Sequence, residues 1–443
     1  MFTHPLSLHL EVTDRCNNAC PHCYAADWIR MPGRRAKPTE KRPKPNINEL
    51  AQRIADSDVF DVIVTGGEPL ILGVDGLSEL FKFFNEHNVR YSLNTNGRLL
   101  TRAVCKALKD AGLRRVLISL HSWVDELHNE IVRARNAAGE TKGGIRNALD
   151  EGLRVAVNQV VDSRNIDTMY ASSAELERMG VHEISFTRAL SPLEVDYKVG
   201  TIPAGKFLDE FLKCKENLSI PVVSLLPIPF CADPRVKDLD VKLSCSGGIS
   251  SAVVSCYGDV RFCPHDSHVW GNILEESLDA IWRRISEWRE VISTPAGCEG
   301  CAFIADCGGG CRVASKLCCD DYSGRDPWAV KSVKNYRRKV VLRDFDPDSS
   351  YRLPSNVRWR KENQGFLLYF DAGHLVVNSD GFDFVRQLPH EFLPNELLDA
   401  DEGNREAHLR FLRELYQNGL LEPVSKANMT ESCAVIVRSA WPV

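Results

Sequence analysis

Cys16, Cys20 and Cys23 lie in the run Cys-Asn-Asn-Ala-Cys-Pro-His-Cys, a C-x3-C-x2-C spacing directly after the strand-like stretch 6–13. Three thiolates this close together can hold three irons of a [4Fe–4S] cluster and leave the fourth iron without a protein ligand. Such an iron is a place to do chemistry as well as to pass electrons. Zinc sites more often use four ligands built from C-x2–4-C pairs, and iron–sulfur spacings differ from these. The run therefore asks for a strand that ends in a metal-binding loop.

The chain has 443 residues, enough for two or three domains around a large core. Its start, Met-Phe-Thr-His-Pro-Leu-Ser-Leu, shows no basic stretch followed by an apolar core, so no secretory signal is expected. Sixteen cysteines then argue for metal ligation in a reducing cytoplasm and against a disulfide framework. A net charge of −5 makes no electrostatic case for nucleic acid. No apolar run approaches the ~18 residues needed to cross a bilayer, so no membrane partner is expected.

Over residues 1–218, short apolar stretches at 6–13, 60–65, 90–93, 115–120, 154–161 and 183–187 alternate with amphipathic patterns such as 77–84, 102–111 and 166–179. This alternation predicts an α/β domain with a parallel sheet and crossover helices. Periodicity alone leaves an open sheet and a partial barrel both possible. Polar motifs fall at the predicted strand ends. Gly66-Gly67-Glu68-Pro69 follows the second strand: its glycines permit close backbone approach, and Glu68 can accept hydrogen bonds from an ammonium. Asn94-Thr95-Asn96-Gly97 ends the third strand, and Ser119 and His121 end the fourth. Residues 28–46 carry seven Lys/Arg, four prolines and one acid, which predicts a mobile basic loop beside the cluster loop, a solvated insertion or a lid over an acidic substrate segment.

The cysteine run and the Gly-Gly-Glu-Pro turn together resemble the radical S-adenosylmethionine (SAM) superfamily. The resemblance implies a partial (β/α)6 barrel with its site at the C-terminal strand ends. It implies that Cys16, Cys20 and Cys23 bind the cluster, that SAM chelates the open iron, and that SAM cleavage yields a 5′-deoxyadenosyl radical. Gly66, Gly67, Glu68 and Pro69 would bind the SAM amino group. Asn96, Ser119, His121 and Arg133 are candidate SAM or pocket contacts, with Arg135 the rival of Arg133. Asn158 could reach the pocket or be a buried, satisfied amide. His22 stands where the family usually carries an aromatic residue.

Most of the remaining cysteines lie between Cys231 and Cys319. Cys245, Gly258 and Cys263, then Cys298-x2-Cys301-x5-Cys307-x3-Cys311, resemble the SPASM extension of peptide-modifying radical SAM enzymes, which holds two auxiliary iron–sulfur clusters. The extension is expected over 219–330. The resemblance implies Cys245, Cys263 and Cys311 as ligands of the first auxiliary cluster, with Cys256 as the fourth and Cys231 as its rival. Cys298, Cys301 and Cys307 would hold the second. Relatives end this region in Asp-Pro-x-Cys; this chain has Asp326-Pro327-Trp328-Ala329, so Cys318 or Cys319 is the expected substitute.

A charged linker over 331–350 precedes a change of composition. Strand-like alternation at 365–370 and 374–378, then helical patterns at 379–388 and 408–418 with Gly419 as a stop, resemble the small winged-helix-like domain of the pyrroloquinoline-quinone chaperone, a precursor-peptide recognition element, over 351–430. Such domains take a peptide as an added strand. The sequence thus points to a cytoplasmic radical SAM/SPASM oxidoreductase that modifies a ribosomally synthesised precursor peptide, supplied with electrons by flavodoxin or ferredoxin. The rivals are a small-molecule dehydrogenase and a maturase oxidising a cysteine or serine of a target enzyme.

Overall fold

A computed structural model describes residues 2–25, 28–33, 44–190, 202–239, 244–330, 343–370, 373–398 and 404–424. The chain divides into two compact units, Met1–Tyr336 and Arg337–Val443.

The first unit is built on parallel strands β1 (Ser7–Glu11), β2 (Asp61–Thr65), β3 (Arg90–Thr95), β4 (Arg115–Ser119), β5 (Arg154–Val161), β6 (Glu183–Arg188) and β7 (Val222–Ser224). They pair in chain order. The crossover helices form where the sequence sets apolar residues three and four apart. Helix Val74–Glu86 buries Leu77, Leu80, Phe81 and Phe84 on one face. Helix Arg102–Asp110 starts at Thr101, whose hydroxyl accepts from the Val104 amide at 3.3 Å. The core between sheet and helices holds Leu8, Leu10, Val62, Val64, Leu93, Val116, Ile118 and Val157, together with Cys105 and Cys214.

The sheet is wider than the six expected strands. Three strands of the cysteine-rich segment, β8 (Ser251–Val254), β9 (Asp259–Arg261) and β10 (Gly271–Asn272), extend it on the far side of β1. β8 runs parallel to β1, and β9 and β10 follow antiparallel. β8 is buried along its whole length, so it covers an edge that β1 would otherwise leave open. Strands of two to four residues are too short to show a period in sequence.

The second unit holds an antiparallel meander of β12 (Arg358–Glu362), β13 (Gly365–Phe370) and β14 (Gly373–Val377). A separate small sheet joins β11 (Tyr351–Arg352), β15 (Glu391–Phe392) and β16 (Glu422–Pro423). Helices Ser379–Gln387 and Arg405–Gln417 match the two helical patterns. Leu368, Phe370, Phe382, Val385, Leu412, Leu415 and Leu420 form its core. Of the linker expected at 331–350, residues 331–342 lie outside the described residues, as do 425–443. No helix among the described residues is long and apolar enough to cross a membrane.

Candidate functional site

In a parallel sheet every strand delivers its C-terminal end to the same side. The run Cys16–Cys23 follows β1, Gly66-Gly67-Glu68 follows β2, Asn94 to Asn96 closes β3, and Ser119 is the last residue of β4. The fold therefore brings together motifs that are far apart in the chain.

The cluster loop is pinned from several directions. Cys16 and Ala19 donate their amides to the carbonyls of Arg30 and Val132 at 2.9 and 3.0 Å. The Asn18 amide donates to Cys16 Sγ at 3.4 Å. Trp28, Ile29 and Met31 pack with Ala19, Ala25 and Cys16 in a small apolar cluster. Lys44 pairs with Asp14. Both described ends of the basic segment 28–46 are thus packed; residues 34–43 lie outside the described residues.

The Gly-Gly-Glu-Pro turn lies against the same loop. The amides of Gly67 and Glu68 donate to the carbonyls of Thr13 and Arg15, both at 2.8 Å. A Cβ on Gly67 would sit 2.1 Å from the Arg15 carbonyl oxygen, so only glycine fits there. Pro69 opens a short 3-10 turn that Glu68 caps. The Glu68 carboxylate is fully buried and accepts from Thr95 Oγ1 at 2.6 Å, the Asn96 amide at 2.8 Å and the Leu70 amide at 3.1 Å. Burial pushes its pKa up, against the pull of these donors.

Arg98 was not singled out from the sequence, yet it clamps the loop. Its guanidinium donates to the Asn17 carbonyl at 2.7 Å and to Asn18 Oδ1 at 2.8 Å, and it pairs with Glu140 at 2.5 Å. Asn96 Nδ2 adds a bond to Asn17 Oδ1 at 2.6 Å. No local pattern marks an arginine that reaches back some 80 residues.

Ser119 stands in register with Asn158 on β5. Asn158 Oδ1 accepts from Thr187 and Ser185 at 3.0 and 3.2 Å, which satisfies its carbonyl oxygen. His121 is buried; its Nδ1 accepts from the Val160 amide at 3.1 Å. Its ring lies 4.8 Å from His22 and 5.5 Å from His128. Burial drives all three imidazoles down, His22 and His128 to about 3, so they are neutral around neutrality. Cys20, His22 and His121 set one sulfur and two nitrogens within 4.8 Å of one another. Arg133 and Arg135 are both exposed, and Arg133 takes a left-handed conformation with φ 49° just after helix Asp125–Val132.

The donor set suits an iron–sulfur cluster. Three thiols converge after β1: burial and the charges of Cys23 and Cys16 push Cys20 well up. Free, Cys16 and Cys20 keep their protons; iron binding must displace these. The cysteine-rich segment forms two further groups. The charges of Cys245 and Cys311 push Cys263 up beyond what burial does, and Cys245 does the same to Cys311. Cys231, Cys298, Cys301 and Cys307 line a single small cavity with Pro229, Phe230 and Ala329.

Cys256 is not among the charges that act most on Cys263 or Cys311. Beyond burial, the charges that act on it most are Lys44, Asp14 and Glu11. Cys231 is not among the charges that act most on Cys263 or Cys311 either; it sits with Cys298 and Cys307. Cys318 and Cys319 are exposed at the end of helix Arg312–Cys319 and interact with each other. The lining of that cavity includes neither Cys318 nor Cys319; spacing along the chain says nothing about which distant thiol reaches a cavity.

The Asp-Pro-Trp ending keeps a structural role without its cysteine. Asp326 takes a two-pronged ion pair from Arg188, the last residue of β6, with one arm at 2.9 Å. It also accepts from the Cys311 amide at 2.7 Å.

Comparison with known proteins fits this geometry. Residues 10–169 match the radical SAM superfamily, and residues 245–307 match the iron–sulfur cluster-binding domain SPASM. The chain carries a radical SAM domain and a SPASM domain. The first binds a [4Fe–4S] cluster and SAM, and the second binds auxiliary iron–sulfur clusters. The mycofactocin maturase MftC of Mycolicibacterium smegmatis is 26% identical over 353 residues, covering 76% of this chain and 86% of that protein. The AdoMet-dependent heme synthase of Methanosarcina barkeri is 23% identical over 346 residues, covering 74% and 96%. In fold, the chain is similar to Streptococcus suis SuiB bound to its precursor peptide SuiA, with a TM-score of 0.57 at 16% identity, covering 73% of this chain and 75% of SuiB. The protein is a radical SAM/SPASM enzyme.

Proposed function

We propose that this enzyme oxidatively modifies a ribosomally synthesised precursor peptide held by its C-terminal unit, forming a crosslink or a related C–H functionalisation. The observation that carries this reading is the meander of the second unit. Its outer strands, β12 and β14, have no further strand beside them among the described residues, and an extended peptide can add to such an edge. Similarity to a maturase over three quarters of the chain supports it.

When bound, the reduced cluster supplies the electron that cleaves SAM to a 5′-deoxyadenosyl radical. The chain's own residues bind, orient and protect. Cys16, Cys20 and Cys23 are the proposed cluster ligands. Gly66, Gly67, Glu68 and Pro69 form the proposed seat for the SAM amino group, and Asn96, Ser119, His121 and Arg133 the proposed surroundings. Flavodoxin or ferredoxin is the proposed electron donor, and the cytoplasm the proposed location.

Anaerobic incubation of the reconstituted enzyme with SAM, a reductant and the short peptides encoded beside its gene tests the reading. The expected result is 5′-deoxyadenosine formation that rises with one peptide, together with a change in that peptide's mass. Formation of 5′-deoxyadenosine with every such peptide left unmodified would overturn it in favour of a small-molecule substrate.

A further inference from the structure

Ala329 stands where a cysteine is expected, yet it still lines the cavity that holds Cys298, Cys301 and Cys307. Cys231 lines the same cavity from another part of the chain, a few residues past β7. Two bonds knit these segments together. The Phe230 amide donates to Cys307 Sγ at 3.4 Å, and the amide of Val330, next to Ala329, donates to Cys231 Sγ at 3.3 Å. The Cys231 sulfur therefore lies beside the backbone that would have carried the missing thiol. The rest of the lining is aliphatic, aromatic or glycine, namely Pro229, Phe230, Phe303, Ile304 and Gly309. Such walls suit a cluster whose ligands are thiolates.

We infer that Cys231 is the fourth thiolate of the second auxiliary cluster and replaces the cysteine lost at position 329. The first auxiliary group then keeps Cys245, Cys263 and Cys311. Ligation forms one Fe–S bond at Cys231 and releases its thiol proton to solvent. The inference rests on the SPASM domain and is independent of the substrate.

The test is differential alkylation of the intact holoenzyme under anaerobic conditions, read by peptide mass spectrometry before and after a chelator strips the iron. Cys231 is expected to resist iodoacetamide together with Cys298, Cys301 and Cys307, while the exposed Cys318 and Cys319 react. After stripping, all should react. Labelling of Cys231 in holoenzyme whose Cys298, Cys301 and Cys307 stay protected would overturn the assignment. Labelling of all four would show that this cluster does not form, and overturn it at the level of the site. A second arm uses Cys231→Ala, expected to lower iron content by about one cluster in three, and Cys231→Ala with Ala329→Cys, expected to restore it. Full iron and an unchanged electron paramagnetic resonance spectrum in Cys231→Ala, or no recovery in the double variant, would also overturn it.

Discussion

Tyr257 donates its hydroxyl hydrogen bond to Asp14 at 2.9 Å, across 243 residues of sequence. Asp14 lies two residues before Cys16, and Tyr257 in the turn between β8 and β9. The SPASM segment thus holds the strand end from which the cluster loop departs. Burial pushes the Asp14 pKa up, but hydrogen bonds from Arg30, Lys44 and Tyr257 outweigh it and hold the carboxyl at about 2. Tyr257→Phe removes one donor from a buried charge and should cost about 1.5–3 kcal/mol near neutrality. The folded pKa lies below the ordinary value, so the stabilisation is full above about pH 4 and fades as pH falls toward about 2. Urea unfolding of parent and variant should show a gap that narrows on acidification; a gap constant down to about pH 3 would sink the assignment.

The ion pair between Arg261 on β9 and Glu11 on β1 is buried on both sides, with Nη2 and Oε2 at 2.5 Å. The guanidinium also lies 4.6 Å from the Trp28 ring centre. Arg261→Met leaves the Glu11 carboxylate buried without its cation and should destabilise the first unit by about 3–5 kcal/mol. Adding Glu11→Gln should recover part of the loss. Denaturation midpoints of the parent, both single variants and the double variant form the cycle that measures this coupling.

Arg98→Ala should release the cluster loop, because it removes the bonds to Asn17 and Asn18 at once. Arg98→Lys should rescue little, since an ammonium cannot reproduce the fork. The expected outcome is a several-fold faster bleaching of the N-terminal cluster on exposure to air, followed by its visible absorbance. A bleaching rate equal to that of the parent would mean that the loop is held without the clamp.

Glu68→Gln places an amide NH2 among three donors, so one of them must lose its acceptor. The turn should distort, and SAM affinity should fall at least about tenfold, a loss of about 1.4 kcal/mol. Equilibrium binding of SAM to the reconstituted enzyme measures it. Unchanged affinity would remove Glu68 from the proposed SAM seat.

His22, His121 and His128 are pushed so far down by burial that none should titrate between about pH 5 and 8. His22→Phe should therefore keep the iron content and leave the pH profile of SAM cleavage unshifted. A new limb near pH 6.5 in the parent that vanishes in the variant would contradict the neutral, buried imidazole.

Much of the site was legible because its parts are local. The spacing of Cys16, Cys20 and Cys23, the Gly-Gly-Glu-Pro turn and the strand-end polar residues each lie within a few residues. The six barrel strands were legible because each pairs an apolar run with an amphipathic helix. The strands β8, β9 and β10 were not, because two to four residues carry no period. Nor was Arg98, whose partners lie some 80 residues away.

The sequence alone determined that this chain binds clusters, that Cys16, Cys20 and Cys23 are the proposed ligands of the first, and that the Asp-Pro-Trp-Ala ending lacks a thiol. Only the tertiary structure decided what stands in for it. Cys231 meets Cys298, Cys301 and Cys307 in one cavity, while Cys318 and Cys319 face solvent. Chain spacing limits only nearby ligands, whereas distant ones are brought together by the packing of the sheet and the segments that follow it.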